Sequence, residues 1–303
     1  MLQLLAARRA AHAADDRGRS MPGESQWLRG PAALLVVAAV ALAGCSNSSA
    51  GPGSTTSSLG SSTTTTTSSP APTSTTPVPA GVEKIYLAMV ASVRRATSVH
   101  YVATSKTTTS GGTNDLHFIT SVGASAGVQV TTWTESGETG TFTIIAIGST
   151  TYLQADADSL ATFFEAVPAA DASTYAGKWI SFTPSDAPYK SLHSGDFTIG
   201  SLVASLKFLP TAATTKARTI VITGKPSPTT TVPAGEVATA ITTISRSTKR
   251  PISQLFNVSY EGNTARSSVV FSQWDTATVP TAPSGAITWA SVAAAIATTT
   301  TSS

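Results

Sequence analysis

The chain has 303 residues, 41% of them hydrophobic and 12% charged, with a formal net charge of +3. Residues 1–45 hold Arg8, Arg9, Arg17, Arg19 and Arg29 against Asp15, Asp16 and Glu24, so the remaining 14 basic and 13 acidic residues nearly cancel. A neutral body without a Lys/Arg cluster argues against nucleic acid as a partner, and a single cysteine, Cys45, excludes an internal disulfide or a thiolate metal cluster.

Ala32 to Ala43 reads AALLVVAAVALA, an apolar run without a charge. A bilayer span needs about 20 apolar residues, so this run has the length of a signal-peptide core instead. Arg29 precedes it, and it closes on Leu42-Ala43-Gly44-Cys45. Small residues fit a narrow peptidase subsite, and the cysteine after them offers the sulfur that accepts diacylglycerol. The pattern resembles the lipobox of bacterial lipoproteins. It predicts cleavage before Cys45 and anchoring through a lipid on that residue. Two acyl chains, at about 0.8 kcal/mol per buried methylene, hold a protein to a membrane without a transmembrane helix. Residues 1–44 are thus read as the signal, with Met21 a second possible start.

Residues 45–80 follow as a tether. Ser46 to Ala80 is almost wholly Ser, Thr, Pro, Gly and Ala. Without an apolar period it has no core to offset the entropy of ordering, and it reads as a disordered stalk open to O-glycosylation. Residues 291–303, ending in Thr298 to Ser303, read as a disordered tail.

The folded domain is expected over 81–290. Ile85, Ala88, Met89, Ser92, Val93 and Ala96 share one stripe, which predicts a helix over Val82 to Ala96. From His100 the pattern turns to β. Strands are expected at His100–Thr108, Asp115–Val122, Gly127–Glu135, Thr139–Ile147 and Thr150–Gln154, separated by hairpin-length breaks. A short helix is expected over Ala157–Ala166, capped by Asp158 or Ser159. A strand follows at Gly177–Phe182, then a helix over Ile199–Leu209 stopped by Pro210. Further strands are expected at Arg218–Thr223, Val237–Ser245, Ile252–Tyr260 and Arg266–Gln273. Ile252, Phe256, Val258 and Tyr260 share parity and predict one apolar face. Thr139–Ile147 is apolar on both faces, which calls for cover on both, from helices and a ligand space, a sandwich or a closed barrel. The order predicts an α+β fold with a large twisted antiparallel sheet packed against an N-terminal helix and short helices.

Several segments resemble the LppX/LprG-type lipoproteins of high-GC Gram-positive bacteria, which share a LolA/LolB-like half-barrel. They are Thr97-Ser98-Val99-His100 at the first strand, Thr139 to Leu153 with Gly148 and Tyr152-Leu153, Gly177-Lys178-Trp179-Ile180, Val232-Pro233-Ala234, and Phe271-Ser272-Gln273-Trp274-Asp275 followed by Val279-Pro280 and Ala282-Pro283. Asp275 stands where the family commonly has Gly. The resemblance implies a half-barrel around a hydrophobic cavity for acyl chains and a lipid or lipoglycan ligand; a monomer with a membrane transporter as partner is expected.

Catalytic signatures are sparse. His100, His117 and His193 have no zinc-site spacing. Gly123-Ala124-Ser125-Ala126-Gly127 fits Gly-x-Ser-x-Gly, but a strand-like run follows it where a nucleophile elbow needs a helix, so a hairpin loop is the better reading. Asp156 and Asp158 sit at a helix start, where the helix dipole accounts for them. Trp133, Trp179, Trp274 and Trp289 read as core or rim residues, with a carbohydrate platform as the alternative. No enzyme, metal or cofactor is expected. Two functions compete: a lipid carrier whose cavity is lined by Val128, Val130, Phe142, Ile144, Leu160, Phe163, Phe164, Phe256 and Val258, and a non-catalytic envelope lipoprotein with a solid core and an exposed apolar patch.

Overall fold

The computed structural model describes residues 79–109, 111–164, 166–193, 197–226, 237–260 and 262–300. Leu42, Ala43, Gly44, Cys45 and the tether up to residue 78 lie outside them, as does most of the loop from Gly224 to Gly235.

Helix α1 (Ala80–Arg94) opens the domain and buries Met89, Ser92 and Val93, the stripe expected from sequence. Five strands follow as a meander: β1 (Ser98–Thr109), β2 (Gly112–Gly123), β3 (Ala126–Glu135), β4 (Glu138–Ile147) and β5 (Thr150–Ala155). A helical excursion holds α2 (Ala157–Phe163), a single turn at Ala169–Asp171, α3 (Ala172–Tyr175), strand β6 (Ile180–Phe182), α4 (Tyr189–His193) and α5 (Ile199–Ser205). The second meander is β7 (Phe208–Thr215), β8 (Thr219–Pro226), β9 (Val237–Ser245), β10 (Pro251–Tyr260) and β11 (Asn263–Ser272). The short β12 (Ile287–Thr288) and α6 (Trp289–Thr300) end the described chain.

Among the described residues, twelve strands form one open sheet in the order β12-β6-β5-β4-β3-β2-β1-β11-β10-β9-β8-β7. The first meander grows outward from β1 to one edge, the helical excursion crosses to the other, and the second meander returns inward. The two halves join where β1 pairs antiparallel with β11, from His100 opposite Ser272 to Thr108 opposite Thr264. Among the described residues, β6–β12 is the one parallel strand pair. The helices pack on one face of the sheet, giving the α+β half-barrel expected from the sequence.

Several expectations need correction. Residues 291–300 are not an unstructured tail: α6 runs to Thr300, buries Val292 and stacks Trp289 on Phe182 at 5.5 Å. The Ile199–Leu209 helix ends at Ser205, and Phe208 opens a strand. Pro210 lies within that strand, which is an edge strand with a register shift between Pro210 and Ala212, so the missing N–H costs no ladder bond to a further neighbour. Helix α2 is capped by Asp156, whose Oδ1 accepts from the Ser159 amide at 2.7 Å, and not by Asp158 or Ser159. Ile252 leaves the apolar parity of its strand because the register shifts between Pro251 and Ser253; Phe256 and Val258 stay buried while Ile252 is exposed.

Gly127 and Gly140 are among the glycines that allow close packing. Gly127, in the Gly-x-Ser-x-Gly string, has its inner side against the Phe197 backbone; a Cβ there would lie 2.5 Å from the Phe197 carbonyl oxygen. The string is a hairpin turn between β2 and β3, and Gly123 bridges to Thr198 at the start of α5. Gly140 lies beneath the indole of Trp133, where a Cβ would come 2.5 Å from Nε1.

Candidate functional site

The alternation of β-strands assigns each residue to the helix-covered inner face or the bare outer face. On β2 the inner row is Asn114, Leu116, Phe118, Thr120 and Val122; Thr120 and Val122 are buried there, whereas the outward Ile119 is 41% exposed. Cross-strand pairing extends these positions into inner-face rows. One runs Val269, Ala103, Phe118, Thr131, Phe142, Ala155. The next runs Phe271, Tyr101, Thr120, Gln129, Ile144, Leu153.

Three apolar clusters rest on this face. The first gathers Trp133, Phe142, Ile144, Leu153, Leu160 and Phe164 beneath α2 to α4 and α6. The second joins Val93 of α1 and Leu202, Val203 and Leu206 of α5 to Val99, Tyr101, Val122 and Phe271. The third sets Met89 of α1 on Phe208, Ile220, Ile222, Ile244 and Phe256. Inward side chains at the border of the first two are only half-buried. Leu116 leans on the first cluster, Phe118 and Val269 on the second, and Gln129 lies between. Phe163 of α2, also half-buried, meets Trp133 edge-on at 5.1 Å. A strip of inner sheet therefore keeps accessible apolar surface between two helix-covered zones.

The structure distributes the sequence-expected cavity residues unevenly. Phe142, Ile144, Leu160, Phe163 and Phe164 come together in or against the first cluster, with Phe142 5.5 Å from Phe164 and 5.8 Å from Phe163. Phe256 belongs to the third cluster, and Val258 is buried two residues further along β10. Val128 and Val130 are corrected: they alternate with Gly127, Gln129 and Thr131 and so point to the outer face, where Val130 lies opposite the exposed Ile119. Composition had marked them as apolar, but parity decides the side. Leu116, Phe118, Gln129 and Val269 were not anticipated. The alternation Asn114, Leu116, Phe118, Thr120, Val122 was the available signal.

The outer face carries its own apolar row. Val270, Val102, Ile119 and Val130 are consecutive cross-strand partners, with Val270 56% exposed. The histidines make local contacts: His100 Nδ1 lies 3.0 Å from Ser121 Oγ, and His193 Nδ1 lies 2.9 Å from the hydroxyl of buried Thr151. Burial holds His193 below the usual imidazole range. Asp275 accepts from the Thr97 amide and from Arg250, and these contacts lower its pKa. Trp133 is a core residue, Trp274 stacks on Phe271 and donates to the Pro251 carbonyl, and Trp289 covers Phe182. Among the described residues no group of three or more His, Cys, Asp or Glu could hold a metal ion, and no helix is long and apolar enough to cross a membrane.

No family model matches the chain, and no curated protein matches it. Among solved structures several are similar at low identity. LprF from Mycobacterium bovis is 13% identical with a TM-score of 0.37, covering 67% of this chain and 98% of that one. Lipoprotein LppX from Mycobacterium tuberculosis is 10% identical with a TM-score of 0.33, over 64% of this chain and 95% of that one. A LolA superfamily protein from Nitrosomonas europaea is 10% identical with a TM-score of 0.24, over 66% and 94%. The likeness assigns no residue a role. At this low identity the chain is similar to LprF, LppX and a LolA superfamily protein.

Proposed function

We propose that the protein is an extracytoplasmic lipoprotein, anchored through Cys45, that takes lipid acyl chains against the inner face of its half-barrel. The observation that carries this reading is the strip of half-buried Leu116, Phe118, Val269 and Phe163 between the two helix-covered clusters. Such side chains recover free energy when a ligand covers them, at about 0.8 kcal/mol per buried methylene. The lipobox-like motif at Leu42 to Cys45 supports a location beside a membrane, where acyl chains are abundant. The chemistry asked of the domain is binding and release, with no covalent step. Native mass spectrometry of protein purified from a lipid-producing host tests it. A co-purified lipid, and uptake of a fluorescent fatty acid by the delipidated protein, are the expected results. An empty protein that takes up no probe rejects the carrier reading.

A second reading has its own support. The outer row of Val270, Val102, Ile119 and Val130 is an apolar surface suited to a protein partner. On that reading the domain is a non-catalytic interaction module. Substitutions on the two faces of the same strand separate the possibilities.

A further inference from the structure

Among the described residues, buried side-chain atoms without a hydrogen-bond partner are Asn114 Oδ1 and Thr120 Oγ1. Both belong to the inner row of β2, and between them on that row lie the half-buried Leu116 and Phe118. Thr120 is 1% exposed, so water does not compensate its hydroxyl from the bulk side. An unsatisfied buried hydroxyl is costly and calls for a partner. Its inner-row neighbour is polar too: Gln129 lies directly opposite Thr120, and its amide donates to Thr131 Oγ1 at 3.4 Å. Thr120, Gln129 and Thr131 thus form a polar island in an apolar floor, beside accessible Phe118.

We propose that Thr120 is a hydrogen-bonding subsite for the carbonyl oxygen of an acyl ester or acyl carboxyl group, whose hydrocarbon chain lies along Leu116 and Phe118. This deepens the acyl-binding reading and rests on it. A threonine hydroxyl is a donor, and a carbonyl oxygen is the acceptor that a lipid brings into an apolar site. The six residue-to-residue steps from Thr120 to Asn114 span about 20 Å, which gives the chain a floor of useful length. The subsite would distinguish acyl esters and acids from plain hydrocarbons.

The test uses the full chain and two fluorescent probes, a pyrene-labelled fatty acid methyl ester and the pyrene-alkane of matching length. Thr120→Val keeps the shape and removes the hydroxyl. It is expected to weaken ester binding by about five- to tenfold and alkane binding by less than about twofold, while Thr120→Ser retains ester affinity. The melting temperature of Thr120→Val should stay level or rise, because an unpaired buried hydroxyl is lost. An unchanged ester affinity in Thr120→Val overturns the subsite and leaves acyl binding standing. A lowered melting temperature with both probes equally weakened assigns the hydroxyl an internal structural partner and also overturns it. If the unsubstituted chain takes up neither probe, the acyl-binding reading falls and the subsite with it. Should Thr120→Val fail to fold, Thr120→Ala is compared with Thr120→Ser in the same assay and decides by the same criteria.

Discussion

The indole Nε1 of Trp133 donates to Ser159 Oγ at 2.8 Å, and this bond passes over Gly140 on the neighbouring strand. Both partners are buried, Trp133 in β3 and Ser159 in α2, so the bond ties the helical excursion to the sheet floor. Ser159→Ala leaves a buried N–H without an acceptor and is expected to destabilise by about 1–3 kcal/mol. Gly140→Ala forces a methyl group into the bond, and overpacking of this kind typically costs about 1–3 kcal/mol. Urea denaturation of the two variants and the parent checks both values.

The two faces of β2 give a direct contrast. Phe118→Asp places a carboxylate on the inner strip, and Ile119→Asp places one on the outer row. On the carrier reading, Phe118→Asp lowers fatty-acid probe affinity by at least about tenfold, and Ile119→Asp leaves it within about twofold. The opposite pattern, with Ile119→Asp abolishing recovery of a stoichiometric membrane partner, favours the interaction module. Fluorescence titration and a pull-down from membranes read the two outcomes.

Asp275 joins three elements. It accepts from the Thr97 amide at 2.8 Å and from Arg250, whose guanidinium lies 5.5 Å from the Trp274 ring centre. Its φ of 65° is in the left-handed region that glycine favours and that Asp tolerates better than most other residues. The Thr97 amide, then Arg250, hold its carboxyl below 3.8, so its folded pKa lies below the unfolded one. Its contribution is therefore present above about pH 4 and is lost as the pH falls through the folded value. Its side chain is 37% exposed, so the ion pair contributes modestly, within about 1 kcal/mol. Asp275→Gly is expected to keep the turn, release Thr97 and Arg250, and flatten the acid limb of stability. Thermal melts from pH 7 down to pH 2 measure it.

His193 has the opposite chemistry with the same sign. Desolvation lowers its pKa below 6.5, because burial disfavours the imidazolium. The unfolded chain then binds the proton more readily than the folded one. Stability from this site is complete above about pH 6.5 and falls as the pH drops through the folded value. An NMR titration of its Cε1 proton is expected to show a midpoint below the ordinary imidazole value near 6.5.

For the anchor, Cys45→Ala is expected to abolish incorporation of labelled palmitate and to release the domain from membranes. A Cys45→Ala protein that still carries the label contradicts anchoring through this residue.

Most long strands were legible because their period is written locally. Val237–Ser245 matches β9 at both ends, and the stripe through Met89 and Val93 marks the buried side of α1. Elements whose reason lies elsewhere in the fold were not. The run from Phe208 to Pro210 continues a helical apolar stretch, and only its pairing with β8 makes it a strand. Ala293, Ala294 and Ala295 beside Thr298 and Thr299 look like linker, yet Val292 has a place waiting against the first cluster. The inner strip was hidden for another reason. Residue type cannot separate Val130 from Phe118, since both are apolar; which side of the pleat each occupies decides the role, and a one-residue bulge such as that at Ile252 reverses it.

A half-barrel must leave two rims unzipped, and bare rims invite other chains to add themselves. Pro210 on β7 offers no amide to an incoming strand, and the kink beside it spoils the straight template that fibrils need. At the far side β12 is only two residues long, and α6 follows it directly. Replacing Pro210 with a β-branched residue would hand the protein a sticky selvedge, trading an open groove for self-stacking at high concentration.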